Sequence, residues 1–309
     1  MEKFINRVLG VFLFILMTHN AIAKMETTRT DTLTKEQVKS DRAFFNGLGK
    51  IYPPSKNVEV NPITIAGVDC HWLAPKNYLT DVFLVYLHGG SYGLGGIESH
   101  GAMVSRLAES FNIKVLLIDY ALAPEQPYPA AKNDVLKVYR HLSKVSPEVK
   151  KIIMGDSAGG GLLLSALAEL QLDKSALPDG IIMFSPWIDL SCSNPSYEIN
   201  AKTDVLTRND LKKYADAYVG KHGREAINPS QIKFKNFPVN LILVSGSEIL
   251  LDDSKNFHRL IKKVQRNSQI AEFKKASHVW PLTDIASPNS KAAVREITTF
   301  IENIAGRSN

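Results

Sequence analysis

The stretch MGDSAGGGLLL, residues 154–164, places a serine between an aspartate and a run of small residues. The apolar residues before it, 149–154, predict a buried strand, and the leucine-rich residues after it, 162–172, predict a helix. Ser157 is therefore expected in the turn between a strand and a helix. Glycines at 155, 159 and 160 lack the Cβ atoms that would clash in so tight a turn. The pattern indicates a turn that holds the Ser157 hydroxyl in a defined place.

Apolar runs alternate with helical segments along the rest of the chain. Two segments around Gly67 predict a hairpin. Continuous apolar strands between helices predict an α/β fold, with a mainly parallel, eight-stranded sheet that is covered by helices on both faces. In such sheets the functional residues follow the carboxyl ends of the strands. The predicted strand segments are ITIAG (63–67), VDCHWLAP (68–75), VFLVYLHGG (82–90), KVLLIDY (114–120), KIIMGDS (151–157), GIIMFSPW (180–187), LILVSGS (241–247) and AEFKKASH (271–278).

Composition narrows the class of protein. The 309 residues are 44% hydrophobic and carry a net charge of +6. The lysines are spread over helix faces rather than gathered with aromatic residues, so no nucleic-acid partner is expected. Cys70 and Cys192 are expected to be small buried residues, with a disulfide between them as the alternative. No CxxC or HExxH motif is present, so the sequence predicts no metal and no cofactor.

The first 23 residues have the pattern of a secretory signal peptide. Lys3 and Arg7 precede the apolar run VLGVFLFILM at 8–17, and Ala21 and Ala23 provide a small-residue cleavage pattern. The run is too short to cross a bilayer as a helix, so no stable membrane insertion is expected. An uncleaved anchor is the alternative. Cleavage near Ala23 would leave one domain, 24–309, as an exported protein, periplasmic or secreted.

Ser157 lies within a G-x-S-x-G pattern, in the strand–turn–helix context that this motif needs for a nucleophile. A serine hydroxyl is a weak nucleophile, so it requires a histidine to take its proton and an acid to orient that histidine. The alternative is a serine that only caps the next helix. His278 follows the last strand-like run and is the predicted base, whereas His258 lies within a helical segment.

Three carboxylates follow the run LILVSGS and compete for the role of the acid. Glu248 is nearest to the strand end and is the predicted acid. Asp252 and Asp253 lie where the next helix begins, and they fit the role of helix-capping residues. Asp252 is the second choice if the geometry does not suit glutamate.

An attack by serine on a carbonyl group forms an oxyanion, which needs hydrogen-bond donors. The backbone N–H of Ala158, directly after the nucleophile, is one predicted donor. The backbone of Gly89 and Gly90 in the loop HGGS is predicted to supply the others. His88 is expected to brace this loop rather than to transfer protons.

Together these residues resemble the hormone-sensitive-lipase-like (GDXG) carboxylesterases of the α/β-hydrolase fold. The resemblance implies Ser157, Glu248 and His278 as catalytic residues and short- to medium-chain acyl esters as substrates. It also suggests a small helical cap from the elements at about 30–50 and 191–235. The matching segments follow the family's order from residue 84 to 281: LVYLHGGSYGLG, DYALAPEQPYPAA, GDSAGGGLLL, GSEILLDDS and SHVWP.

Two positions depart from the family's pattern. Ser91 stands where a third glycine often follows the loop histidine, and Glu248 stands where aspartate is usual. Glutamate is an accepted acid in this fold, but the histidine must then lie about one methylene farther away. Asp119 and Glu125, in DYALAPE, are expected to fix the loop around the site.

Two other functions remain open. An amidase or deacetylase could use the same three groups, because ester and amide cleavage share the tetrahedral intermediate. A non-catalytic ligand-binding protein could use the same scaffold, but such proteins tend to lose the histidine that this chain keeps. A small-molecule ester is the expected partner, and the sequence predicts neither the oligomeric state nor the preferred acyl length.

Overall fold

The computed structural model of the chain describes residues 32–307. The predicted signal peptide at 1–23 lies outside the described residues, so cleavage near Ala23 and export stay predictions. In the part of the chain that is described, none of the helices combines the length and the apolar character that crossing a membrane requires.

The predicted eight-stranded sheet is present. Its spatial order is β1-β2-β4-β3-β5-β6-β7-β8. Strands β1 and β2 form the antiparallel hairpin around Gly67, and β2 also pairs antiparallel with β4. All the pairs from β4 through β8 are parallel. The strands are β1 Val58–Ile65, β2 Val68–Pro75, β3 Leu79–Leu87, β4 Ile113–Ile118, β5 Lys150–Asp156, β6 Gly180–Phe184, β7 Val239–Ser245 and β8 Gln269–Phe273.

Helices cover both faces of the sheet, and each face has its own hydrophobic core. In β3, Val85 and Leu87 pack into one core, while Leu84 and Tyr86 pack into the other. Because side chains alternate between faces, a strand buried on both sides appears in the sequence as a continuous apolar run. The helices are α1 Lys35–Leu48, α2 Ile97–Phe111, α3 Ala130–Val145, α4 Ala158–Leu172, α5 Ser196–Ile199, α6 Arg208–Val219, α7 Arg224–Ile227, α8 Leu251–Ile261 and α9 Pro288–Ala305.

The segment 191–235 is the irregular, helix-bearing insertion that its polarity predicts. It contains α5, α6 and α7. Tyr214 of α6 donates a hydrogen bond to Asp41 of α1, at 2.8 Å, so the insertion and the first helix are in contact. Whether the two together act as a cap remains a prediction.

The two cysteines are free thiols, and both are buried. Cys70 and Cys192 pack within the same hydrophobic core. The expectation that they behave as small apolar residues is confirmed, and the alternative of a disulfide is excluded in this structure.

Candidate active site

The turn that carries Ser157 is tight and strained. Strand β5 ends at Asp156 and α4 begins at Ala158. Ser157 between them has φ 50° and ψ −121°, a conformation that a residue with a side chain rarely adopts. Its N–H donates to the carbonyl of Phe184, at 2.9 Å, and its own carbonyl accepts from Trp187, at 2.8 Å. These bonds to the segment after β6 hold the strained backbone in place.

The side chain of Ser157 does not cap the helix that follows, so the alternative of a capping serine is wrong. The residue is only 5% exposed. Glycine is required on either side of it. A Cβ on Gly155 would lie 2.5 Å from the carbonyl oxygen of Gly159, and one on Gly159 would lie 2.0 Å from that of Leu87. The crowding expected from the sequence is therefore confirmed by the structure.

Glu248, which is buried, and His278, which is half-buried, form a hydrogen-bonded pair. Nδ1 of His278 donates to Oε2 of Glu248 at 2.7 Å, and the two side chains are 9% and 0% exposed. The other oxygen, Oε1, accepts from the Ser185 hydroxyl at 2.9 Å and from the Ser245 N–H at 2.6 Å. Three donors thus hold the carboxylate, which fixes the orientation of the imidazole ring.

The pKa values of the pair reflect burial and mutual attraction. Burial raises the pKa of Glu248, and the hydrogen bond and charge of His278 oppose that rise without cancelling it. Burial lowers the pKa of His278, but the hydrogen bond and charge of Glu248 outweigh it, so the pKa lies above its ordinary value. Because Nδ1 carries the proton donated to Glu248, Nε2 of neutral His278 is the nitrogen able to accept another.

His278 and Ser157 lie at the same edge of the sheet, because each follows the carboxyl end of a parallel strand. The Ser245 hydroxyl donates to the carbonyl of Ala276 at 2.7 Å, which ties the loop of His278 to β7. The ring centroids of Trp280 and Phe184 are 4.4 Å apart. The backbone carbonyl of Phe184 accepts a hydrogen bond from the N–H of Ser157. Within residues 32–307 no hydrogen bond joins the Ser157 hydroxyl to the His278 ring. Such catalytic bonds are often long before substrate binds.

The raised pKa of His278 predicts the shape of the pH–rate profile. The sequence predicts His278 as the proton acceptor, which must be neutral, so we expect activity to fall as the pH falls through the pKa of His278. Because that pKa lies above 6.5, we expect kcat/KM for the ester substrates that the sequence predicts, measured with p-nitrophenyl acetate, to be still rising at pH 6.5 and to level off above it. Asp252→Asn should leave the midpoint unchanged. A midpoint below 6.5 would show that Glu248 does not raise this pKa.

Asp252 and Asp253 serve another purpose. Asp252 accepts from the backbone N–H of Ser196, at 2.8 Å. Asp253 accepts from the backbone N–H groups of Ile188 and Asp189, at 2.9 and 2.8 Å. Both lie in the first turn of α8, as expected, but they tie the segment after β6 to this helix rather than capping it.

The loop His88–Ser91, which we call the oxyanion loop, differs from the prediction at one donor. The N–H of Gly89 donates to Oδ1 of Asp156, at 2.9 Å, and is thus engaged. The N–H groups of Gly90, Ser91 and Ala158 have no acceptor among residues 32–307. Ser91 is an additional candidate donor that was not predicted, because the sequence pattern pointed to the glycines.

The residues expected to fix the surrounding loops do so. Asp119 accepts from the backbone N–H of Ile97 at 3.0 Å and pairs with Nε2 of His71 at 2.9 Å. Glu125 forms a two-point ion pair with Arg42 of α1, at 2.9 and 2.7 Å.

Arg42 was not predicted to take part in the site. It also donates to the carbonyl of Gly93, at 2.9 Å, and to that of Ala123, at 3.0 Å. Helix α1 is thereby joined to the residues that follow the oxyanion loop. In the described part of the chain, no group of three or more His, Cys, Asp or Glu side chains is arranged to hold a metal ion.

A sheet of this order, with a strained serine after its fifth strand, defines a protein of the α/β-hydrolase class. The alpha/beta hydrolase fold family matches residues 84–282, well over half of the sequence, and the chain belongs to this family.

Three comparisons place the chain more closely within that class. An esterase of Acinetobacter venetianus is 29% identical over 287 residues, which cover 90% of this chain and 93% of that protein. An acetyl-hydrolase of Streptomyces hygroscopicus is 30% identical over 285 residues, with the same two coverages. The crystal structure of an esterase from the bacterial hormone-sensitive lipase family has a TM-score of 0.83 and 29% identity, and the match covers 88% of this chain and 93% of that one. The resemblance and fold class predicted from the sequence are confirmed, and the chain is an ester-hydrolysing enzyme.

Proposed function

We propose that this enzyme is a serine carboxylesterase that cleaves short- to medium-chain acyl esters through an acyl-enzyme on Ser157. The observation that carries the proposal is the 2.7 Å hydrogen bond between His278 and Glu248. It leaves Nε2 of His278 as the proton acceptor at the edge of the sheet where the strained turn presents Ser157. This combination suits nucleophilic attack on an ester carbonyl.

In the first half of the reaction, Nε2 of His278 takes the proton of the Ser157 hydroxyl as its oxygen attacks the ester carbonyl carbon. The negative charge that develops on the carbonyl oxygen is stabilised by the open N–H groups of Gly90 and Ala158. His278 then gives its proton to the departing alcohol oxygen. The acyl group is left as an ester on Ser157.

In the second half, water replaces the alcohol. His278 takes a proton from water as the water oxygen attacks the acyl carbon. It then gives that proton to the oxygen of Ser157 as the carboxylic acid product leaves. Glu248 stays ionised through both halves and stabilises the imidazolium that forms twice.

Large aromatic side chains near the nucleophile support a preference for short acyl groups. The hydroxyl of Tyr92 would lie 2.3 Å from a Cβ placed on Gly161, one helical turn after Ser157. The ring of Tyr92 stacks on Tyr218 at 3.8 Å and lies 5.6 Å from the ring of Trp187. All three aromatic residues are buried. The interior next to this turn is therefore filled by aromatic side chains, which supports the proposed preference for short acyl groups.

A series of p-nitrophenyl esters from acetate to palmitate tests this proposal. We expect the highest kcat/KM between acetate and butyrate, and a decrease of about tenfold or more by octanoate, because each methylene that the pocket cannot accept weakens transition-state binding. A burst of p-nitrophenol equal to the enzyme concentration would reveal the acyl-enzyme.

p-Nitroacetanilide, which carries the same acetyl group on an amide, serves as the matched substrate. We expect its kcat/KM to be far below that of p-nitrophenyl acetate. Faster cleavage of the anilide would favour the amidase alternative, and a maximum at palmitate would refute the preference for short chains.

A further inference from the structure

We infer that Asp156 is a positioning residue for the oxyanion loop, and that the buried His100, which contacts its carboxylate, supports it in this role. The inference rests on the proposed esterase mechanism and adds two residues to it. Neither side chain touches the substrate in that mechanism.

Asp156 connects the turn that carries Ser157 to the oxyanion loop. Its side chain is buried, and Oδ1 accepts from the Tyr86 hydroxyl at 2.8 Å and from the Gly89 N–H at 2.9 Å. A Cβ on Gly89 would lie 2.2 Å from Oδ2 of Asp156 and 3.0 Å from Cβ of Ser157. The carboxylate, the loop and the nucleophile are therefore in direct contact, and only glycine fits between them.

His100 lies on the other side of the carboxylate and is fully buried. Its Nε2 is 3.5 Å from Oδ2 of Asp156, an electrostatic contact rather than a hydrogen bond. The Ser99 hydroxyl lies 3.0 Å from the carbonyl oxygen of Gly96 and 2.8 Å from Nδ1 of His100, and so it holds the ring in place. His100 thus lies directly against the carboxylate of Asp156.

The contact with His100 and the hydrogen bond from Tyr86 help the carboxylate of Asp156 to stay charged in the interior. Burial by itself raises the pKa of Asp156, but the charge and proximity of His100, together with the Tyr86 hydroxyl, outweigh it and bring the pKa below its ordinary value. A buried charge without a partner is strongly destabilising. An ionised carboxylate is also a stronger acceptor for the Gly89 N–H than a neutral acid is.

His88 holds the same loop from its other face. Its Nδ1 donates to the carbonyl of Gly89 at 2.8 Å, and its own carbonyl accepts from the Tyr120 hydroxyl at 2.5 Å. The rings of His88 and Tyr120 stack at 4.2 Å. Burial, assisted by the charge of His100, lowers the pKa of His88 to about 3, so its ring is neutral. This confirms that His88 braces the loop.

The orientation of the oxyanion donor follows from these bonds. The carbonyl of Gly89 and the N–H of Gly90 belong to one trans peptide unit and point in opposite directions. Because His88 holds the carbonyl, the Gly90 N–H is turned the other way. The preceding peptide unit is held at both ends, by Tyr120 at its carbonyl and by Asp156 at its N–H. Asp156 thus fixes the His88–Gly89 peptide unit, which directly precedes the peptide unit that carries the Gly90 N–H.

The variant Asp156→Asn tests the inference, with Tyr86→Phe as the matched control. We expect Asp156→Asn to lower kcat for p-nitrophenyl acetate about 100-fold, as the loss of one oxyanion donor does, with KM within about threefold of the wild type. Tyr86→Phe removes the other donor to the same oxygen but leaves the Gly89 bond, so its kcat should change by less than about threefold. If Asp156→Asn does not fold, His100→Gln carries the test, with an expected loss of about tenfold.

A second readout separates positioning from a merely structural role. A short alkyl trifluoromethyl ketone forms a tetrahedral adduct with a nucleophilic serine, and its affinity depends on the oxyanion donors. We expect its inhibition constant to rise by the same factor by which kcat falls. An unchanged inhibition constant, or a kcat within threefold of the wild type in a folded variant, overturns the inference. If Ser157→Ala is inactive in the same assay, that result leaves the proposed function standing; an active Ser157→Ala would refute the mechanism itself.

Discussion

Replacing Ser157 by alanine is expected to lower kcat/KM for p-nitrophenyl acetate by about 10⁴- to 10⁶-fold, the range seen when a serine hydrolase loses its nucleophile. The proposed reaction begins with a bond from the Ser157 oxygen, and alanine offers no atom that can form it. The activity that remains should come only from binding and from the oxyanion donors, and the burst of p-nitrophenol should disappear.

The fold should survive this change. Ser157 makes no side-chain capping bond to α4, so alanine removes no hydrogen bond that supports the helix. A thermal unfolding curve close to that of the wild type would show that a loss of activity is chemical. Equal rates for the two proteins would remove Ser157 from the mechanism.

Replacing Glu248 by glutamine is expected to reduce kcat by about 10⁴-fold, as the loss of the acid does in comparable triads. Glutamine has the same shape, but it brings an amide group that can present a donor to Nδ1 of His278. It also removes the charge that stabilises the imidazolium. The matched control is Asp252→Asn, which makes the same chemical change four residues along the chain. Because Asp252 bonds to the backbone of Ser196, its replacement should alter kcat by less than about threefold.

The comparison of these two variants decides which carboxylate is the acid. A larger loss in Asp252→Asn than in Glu248→Gln would move the assignment to Asp252. The kinetics are measured on the upper plateau of the wild type's pH–rate profile, so that a shift in the pKa of His278 does not imitate a loss of chemistry.

The sheet could be predicted from the sequence because its signal is local. In β5 and β6, residues such as Ile153 and Ile182 pack against helices on opposite faces, and so the strands appear as unbroken apolar runs. The turn at Ser157 was predictable for the same reason. Its glycines avoid clashes with atoms that lie within a few residues or at the end of a neighbouring strand. These glycines are part of the motif itself.

The partners that complete the site could not be predicted, because they depend on contacts between distant segments. Ser185 follows a strand and has no motif of its own, yet its hydroxyl bonds to Glu248, 63 residues later. The engagement of the Gly89 N–H by Asp156 joins residues 67 apart. Asp156 belongs to the very motif that identified Ser157, but only the three-dimensional arrangement reveals which N–H it occupies.

The bonds of Arg42 set a limit on how far the chain can be trimmed. Helix α1 has one buried residue, Val38, and its half-buried Phe45 and Leu48 pack against one of the two cores. Proteolysis that removed everything through residue 48 would therefore spare most of the interior. It would nevertheless remove the hydrogen bonds that Arg42 donates to the carbonyls of Gly93 and Ala123. We expect a shortened enzyme to stay folded but to lose activity, because the loops that contain these two residues would no longer be held in position.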